Sequence, residues 1–297
     1  MEIEVRLFGG LAERAGGART RVEVPDDATV AQLRPALAAR HPALAPLLAR
    51  VNVAVDLEVA KDDHPLAGAR EVAVLPPVAG GSGDHGGAGD HGGAGDHGGT
   101  GDHGGAGDHG GTGDHGGAGE HGAGGDLAEV RILTGLRRPP LAVEETVEAL
   151  VTPDVGATAV FLGTVRDHAA DVDDVVRLDY SAYEEMADKV LADVAVEIVR
   201  EHPQVRGVGL LHSVGELPVG SHTVLIVCTS PHRAQAFAAC EDALERVKDR
   251  VPVWKREVTR DGEHRWVGLP DGEEHAEPAG DGPTSDGDGP SAPDYSA

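Results

Sequence analysis

Three groups of residues in this 297-residue chain have the types and spacing to do chemistry. The first is Gly80-Gly81, which closes the apolar run that starts at Val72. Two glycines let backbone enter a site too narrow for any Cβ. That is the shape of a carboxyl terminus built to be activated and consumed. Here the diglycine is internal, followed by Ser82, and a carboxylate held in an amide cannot be adenylated or converted to a thiocarboxylate. Either the chain is cut after Gly81, or the diglycine is the first step of a linker. The second group is Thr229-Ser230-Pro231-His232-Arg233, where a core strand hands over to a helix. Ser230 reads as an N-cap and Pro231 as the first helical residue. A helix start offers free N–H groups and a positive dipole end to an anion, and His232 and Arg233 add cations to it. The same residues also describe an ordinary capped helix with solvated side chains. The third group is Lys248 near the end of the last helix and Lys255 after a Pro-Val-Trp turn; Arg166, at the end of an apolar strand, is a separate candidate that reads equally as a cleft residue or a surface salt bridge. Clustered cations lower one another's pKa, which makes an amine a better base or nucleophile. A solvated helix end, with lysine favoured by the dipole, is the plain alternative.

These residues need elements to position them. Glu2 to Phe8 and Arg19 to Pro25 alternate with period two and read as strands. The glycines at 9, 10, 16 and 17 predict a short loop and a hairpin between them. Thr29 with Gln32 three residues on predicts a capping box before a helix on Val30, Leu33 and Leu37. Pro35 predicts that this helix is short or kinked, because it removes an internal hydrogen bond. Strands are expected at 51–55, 57–61 and 71–75. The order ββαββ with a late apolar strand describes a β-grasp, the ubiquitin-like fold, over residues 1–81.

Residues 82–126 are a Gly-Asp-His-Gly-Gly-Ala/Thr repeat with no apolar residue larger than alanine, so the composition predicts a flexible coil. Its histidines, His85 to His121 at every sixth position, invite a zinc or nickel reading. The spacing defines no preorganised geometry, so the segment reads as a tether and no metal site is assigned. A second domain runs over 127–269. A short strand is expected over 130–133, and a helix after Pro140 on Val143, Val147 and Leu150. The continuous apolar run from Gly156 to Gly163 predicts a buried strand. An acidic loop at Asp171 to Asp174 precedes an alternating strand over 176–183. Long helices over about 185–200 and 233–248, core strands over 208–213 and 223–229, and a late strand over 253–258 complete it. Residues 270–297 read as a disordered acidic tail.

The formal charge is −26, with eight acids and no Lys or Arg in 82–126, and eight more in 269–297. Such a balance argues against DNA or RNA binding, which needs a basic field. It fits a protein kept hydrated in a high-salt cytoplasm. Cys228 and Cys240 sit amid apolar residues, as two buried thiols in a reducing compartment would. No leader pattern opens the chain, and no apolar run approaches membrane-spanning length. A cytoplasmic protein without a membrane partner is expected.

Taken together, F161-L-G-T-V-R166, Y183-E184, H212-S-V-G-E-L217, S230-P-H-R-A-Q-A-F237 and K248-D-R-V-P-V-W-K-R-E257 resemble the large, catalytic subunit of molybdopterin synthase. L75-P-P-V-A-G-G81 and the domain before it resemble the family's small sulfur carrier. The resemblance implies an α/β hammerhead fold for the second domain, usually dimeric. It implies that a carrier-glycine thiocarboxylate delivers sulfur to cyclic pyranopterin monophosphate, two transfers yielding the dithiolene of molybdopterin. No cofactor is required for that transfer. By residue matching, Arg166, His232 and Arg233 bind the anionic substrate. Lys248 and Lys255 are the reactive-site lysines, with Lys248 in the acid/base or covalent role. Gly80 and Gly81 form the carrier terminus. An adenylating, sulfur-loading enzyme and a processing protease are implied partners. The fusion departs from the family pattern, in which the carrier ends at Gly-Gly as a separate chain. Two other readings share these residues: a stored ubiquitin-like protein modifier, and an uncut fusion whose first domain only docks. Arg233 and Lys248 lie fifteen residues apart on one expected helix, about 22 Å at 1.5 Å per residue. A two-fold dimer resolves this, with Arg166 and the two lysines from one chain and His232 and Arg233 from its partner.

Overall fold

A computed structural model of the chain describes residues 1–78, 130–169 and 172–269. Gly80, Gly81, the repeat, Asp171 and the acidic tail lie outside the described residues, and with them the flexible-coil and disorder expectations.

The first domain is a five-stranded sheet in the order β2-β1-β5-β3-β4. Its strands are β1 (Glu2–Leu7), β2 (Arg19–Glu23), β3 (Asn52–Val55), β4 (Glu58–Ala60) and β5 (Val72–Leu75). β1 and β2 pair antiparallel as expected, but the segment between them is a helix, α1 (Gly9–Ala15), and not a short loop. Gly16, at φ 76°, ends it in the left-handed conformation that glycine adopts freely. The glycines therefore open and close a helix rather than make a tight turn. β5 lies parallel to β1 in the centre of the sheet, the β-grasp arrangement. α2 (Val30–Arg40) packs Val30, Leu33 and Leu37 into the core under the sheet. Gln32 Oε1 accepts from the Thr29 N–H at 2.8 Å, the capping bond the spacing predicts. The helix is not cut short at Pro35 but runs eleven residues through it. A short 3-10 turn at Pro42–Leu44, without a sequence signal, follows it.

The second domain holds two four-stranded sheets. The first has the order β6-β9-β11-β7, from β6 (Arg131–Arg137), β7 (Ala157–Thr164), β9 (Gly207–Ser213) and β11 (His222–Ser230). The second has the order β10-β8-β12-β13, from β8 (Val175–Ala182), β10 (Gly215–Pro218), β12 (Val253–Thr259) and β13 (His264–Trp266). The short β10 and β13 have no sequence signal, and β6 extends four residues beyond the expected end. α4 (Glu184–Glu201) and α5 (Arg233–Arg250) cover one face of the first sheet, and α3 (Val143–Leu150) covers the other. Period-two alternation divides the strands between these faces. On β11, Val224, Ile226 and Cys228 join the α4–α5 core, while Leu225 and Val227 join the α3 core. α5 buries Ala236, Ala239, Cys240 and Ala243, a stripe small enough to seat it close on the sheet. Cys228 and Cys240 are free, buried thiols, as expected. Gly207 lies where a Cβ would fall 2.7 Å from both Leu150 O and Thr229 Oγ1, so only glycine lets α3 sit this close.

Two expectations fail here. β7 is not a buried strand. It is the edge of its sheet, and Val160 on it is 45% exposed. Apolar residues on both sides of a strand imply two covering layers, and among the described residues one of them is missing. Ser230 is not the cap of α5, nor is Pro231 its first residue. Ser230 ends β11, buried, and its hydroxyl donates to Gln204 O at 3.1 Å. His232 takes the N-cap position, with no side-chain capping bond, and the helix starts at Arg233.

Candidate functional site

A cavity of about 560 Å³ opens between the two sheets of the second domain at the C-terminal end of α5. Arg166, just past the end of β7, Lys248 in the last turn of α5 and Lys255 on β12 all line it. Burial lowers the Lys255 pKa most, Glu257 opposes it, and the charges of Arg166 and Lys248 lower it further. Arg166 and the two lysines thus form one electrostatic unit, and Lys255 is the amine that it tunes toward the neutral, nucleophilic form.

Tyr180, His212 and Glu257 share the cavity wall, and the motif reading assigned none of them a role. His212 bonds through Nδ1 to Ser213 O at 2.8 Å. A carbonyl only accepts, so Nδ1 carries the proton and Nε2 is left as an acceptor. Burial holds the ring neutral, with a pKa lowered to about 4. Tyr180, edge-on to His212 at 5.2 Å, has its pKa raised to about 12, chiefly by burial. It stays a hydroxyl donor at any physiological pH. Glu257, 5% exposed, pairs with Arg265 at 3.3 Å.

His232 and Arg233 do not reach this cavity. They line a separate open cleft at the start of α5, with Gly156 and Gln235. The eighteen residues of α5 separate the two sets. A larger open groove, of about 940 Å³, lies on the first domain between β2 and α2. Arg19 and Arg21 there are paired with Glu4, and the groove gathers no lysine, so it is not the site.

The first domain is seated on the second, and strand alternation explains where. On β12, Lys255 and Glu257 face the cavity, while Trp254 between strand neighbours faces the other way. Trp254 is 1% exposed and its Nε1 donates to Pro76 O at 3.0 Å. Trp266 Nε1 donates to Glu13 Oε2 at 2.9 Å, and His264 bonds Glu13 Oε1 at 3.1 Å. Phe8 stacks on Tyr183 at 4.7 Å and on Trp254 at 5.3 Å, and Arg6 caps the Tyr183 ring at 4.6 Å. β5 contributes Val72 and Val74 to its own domain's core, and Ala73 and Leu75 to the core of the second domain. A Cβ on Gly10 would fall 3.0 Å from the Trp266 ring and 2.5 Å from Leu269 Cδ1. The helix start is therefore bare where the domains meet. These docking residues escaped the motif reading. One signal was available: the sequence holds eight Phe, Tyr and Trp, and Phe8, Tyr183, Trp254 and Trp266 gather in this one interface.

Residues 136–250 match the family model described as MoaE protein, and residues 5–81 match that of the ThiS family. The molybdopterin synthase catalytic subunit of Halalkalibacterium halodurans is 38% identical over 129 residues, covering 43% of this chain and 81% of that protein. The chain belongs to the family of molybdopterin synthase catalytic subunits. It is an enzyme with molybdopterin synthase function, and a ThiS-family sulfur-carrier domain stands at its N-terminus. Among solved structures, molybdopterin synthase from Staphylococcus aureus is 36% identical, covers 46% of this chain and 96% of that chain, and has a TM-score of 0.43. SAMP1 from Haloferax volcanii is 37% identical, covers 27% of this chain and all of that chain, and has a TM-score of 0.24. No described helix of this family member is long and apolar enough to cross a membrane.

Proposed function

We propose that Gly81, freed by cleavage and charged as a thiocarboxylate, gives its sulfur to cyclic pyranopterin monophosphate in the cavity of Lys248 and Lys255. Each transfer breaks the carbon–sulfur bond at Gly81 and makes one at a substrate carbon whose carbon–oxygen bond gives way, and water supplies the oxygen that returns Gly81 as a carboxylate. Two transfers make the dithiolene of molybdopterin. One observation carries the reading: β12 holds the carrier tail with Trp254 and presents Lys255 to the cavity from the next position. Lys248 serves in the acid/base or covalent role beside Lys255, and Arg166 holds the substrate's phosphate. No cofactor takes part.

His232 and Arg233 complete the phosphate site from a second copy of the chain. Three observations support that dimer. The two residue sets sit at opposite ends of α5. β7 is an apolar edge strand. Val160 on β7 and Phe237 on the adjoining α5 stand 45% and 66% exposed. In an isologous interface each α5 start meets the partner's α5 end. An adenylating enzyme loads the carrier and a protease frees it. Two buried free thiols and the acidic surface suit a reducing, salt-rich cytoplasm. The docking-only reading is less well supported, because the chain's own carrier domain occupies the face a second carrier would use.

Mixing inactive Arg233→Ala and inactive Lys248→Ala proteins tests the shared site. Partial activity is expected to return through mixed dimers. Proven subunit exchange with activity still at zero overturns it.

A further inference from the structure

The face that receives the carrier leaves polar atoms stranded. Among the described residues, four buried side-chain nitrogen or oxygen atoms lack a hydrogen-bond partner: Ser181 Oγ, Tyr183 OH, Arg256 Nε and Gln235 Oε1. Gln235 belongs to the cleft at the start of α5. The other three belong to the docking face. Ser181 lies directly opposite Trp254 in the β8–β12 register, so the two side chains share a face. Tyr183 is fully buried under Phe8 and Arg6. Arg256 lies over the Trp266 ring at 5.7 Å and meets carrier Glu13 at 3.6 Å.

These groups are stranded by docking itself. With the carrier away, that face of the sheet meets water, which satisfies all three. With the carrier seated, the Ser181 and Tyr183 hydroxyls lose that water and gain no protein partner, whereas Arg256 gains the ion pair with Glu13. A hydroxyl stranded in this way weakens an association roughly 5- to 150-fold. The Tyr183 hydroxyl is the clearest case. Stacking on Phe8 and the cation–π contact with Arg6 use only its ring, so a phenylalanine would keep both.

We infer that Ser181 and Tyr183 form a release device, which holds the docking of the carrier weak enough for it to leave its catalytic domain between sulfur transfers. The inference rests on the sulfur-transfer reading in one respect. A thiocarboxylate brings one sulfur and a dithiolene needs two, so a spent carrier must give way to a charged one. An interface of two indole hydrogen bonds, an aromatic stack and an apolar sheet face, with no such penalty, would hold the spent carrier in place.

The chain's two tryptophans make the test direct, because both indole N–H groups donate to the carrier domain. Their hydrogen exchange, followed by NMR in the uncut full-length protein, measures the undocked fraction. Tethering scales every variant alike and cancels in the ratio. Tyr183→Phe is expected to raise the protection of both indoles about tenfold, and Ser181→Ala several-fold, with the β11 core amides unchanged. Protection unchanged or lowered in both variants overturns the inference, as does a rise at Trp254 alone, which reports local packing. Should Tyr183→Phe disturb the core amides, Ser181→Ala decides. The assay uses no substrate, so its failure is distinct from a failure of the mixed-dimer experiment.

Discussion

Arg246 lies two residues before Lys248 and ties the end of α5 to α4. Its guanidinium donates to Asp242 at 2.7 and 2.9 Å, to Glu197 at 3.0 Å and to Glu201 at 2.6 Å. Arg250, two residues after Lys248, donates to Glu197 at 3.1 Å. Lys248 is thus held at the cavity between two anchored arginines. Arg246→Met removes the central anchor. Arg246, Asp242 and Glu197 are 22–30% exposed, so each pair lies near the top of the range for surface ion pairs, and the two together give about 1.5 kcal/mol. Glu201, at the open rim, is left out of that figure. The larger cost of a stranded buried charge does not apply, because Asp242 keeps His202 at 2.9 Å and Glu197 keeps Arg250. For a domain of this size the loss is a fall in Tm of about 3–6 °C. The pH dependence has a definite sign. Arg246 and His202 hold Asp242 below its usual 3.8 against the cost of burial, and Arg250 and Arg246 hold Glu197 below its usual 4.5. Folded-state values below the unfolded ones give stability that is complete above about pH 4.5 and is lost as pH falls through the folded values. Melts of both proteins from pH 7 to pH 3 should therefore converge toward the acid end. Equal Tm values at pH 7, or a gap that widens in acid, refute the reasoning. Activity should fall as well, through displacement of Lys248.

The lysine at the centre of the cavity should behave in the opposite sense. Burial, with Arg166 and Lys248, depresses Lys255, so its proton destabilises the fold at neutral pH, and the penalty fades as pH rises toward its unfolded value of 10.5. Lys255→Met should be inactive yet more stable than the parent at pH 7, with the gap in Tm closing by pH 10; a variant less stable at pH 7 contradicts the depressed pKa. Mass spectrometry of protein from its native host should find a fragment ending at Gly81. Full-length chain alone in active material defeats the cleavage step, and Gly81 in an isopeptide bond with protein lysines would point to a modifier instead.

Much of this protein was legible in the chain because the signals are local. Period-two runs, the Thr29–Gln32 spacing and the apolar stripes of α4 and α5 depend on residues a few positions apart, and those elements stand where the spacing puts them. The pairing of Lys248 and Lys255 was legible in their spacing, but that Arg166 joins them was legible only through a resemblance, since no spacing links a strand end so far back in the chain. Where the reading failed, a nonlocal fact decided. Ser230 looks like a cap, but its hydroxyl is claimed by Gln204, and no rule of helix starts contains that bond. The run from Gly156 looks buried, but burial belongs to a strand's neighbours, and among the described strands β7 lies at the edge of its sheet. The docking face was the least visible. Trp254 and Lys255 are adjacent in sequence and serve opposite sides of one strand, the carrier tail on one and the cavity on the other. Alternation is written in the sequence; what lies against each face is decided only when the first domain packs on the second.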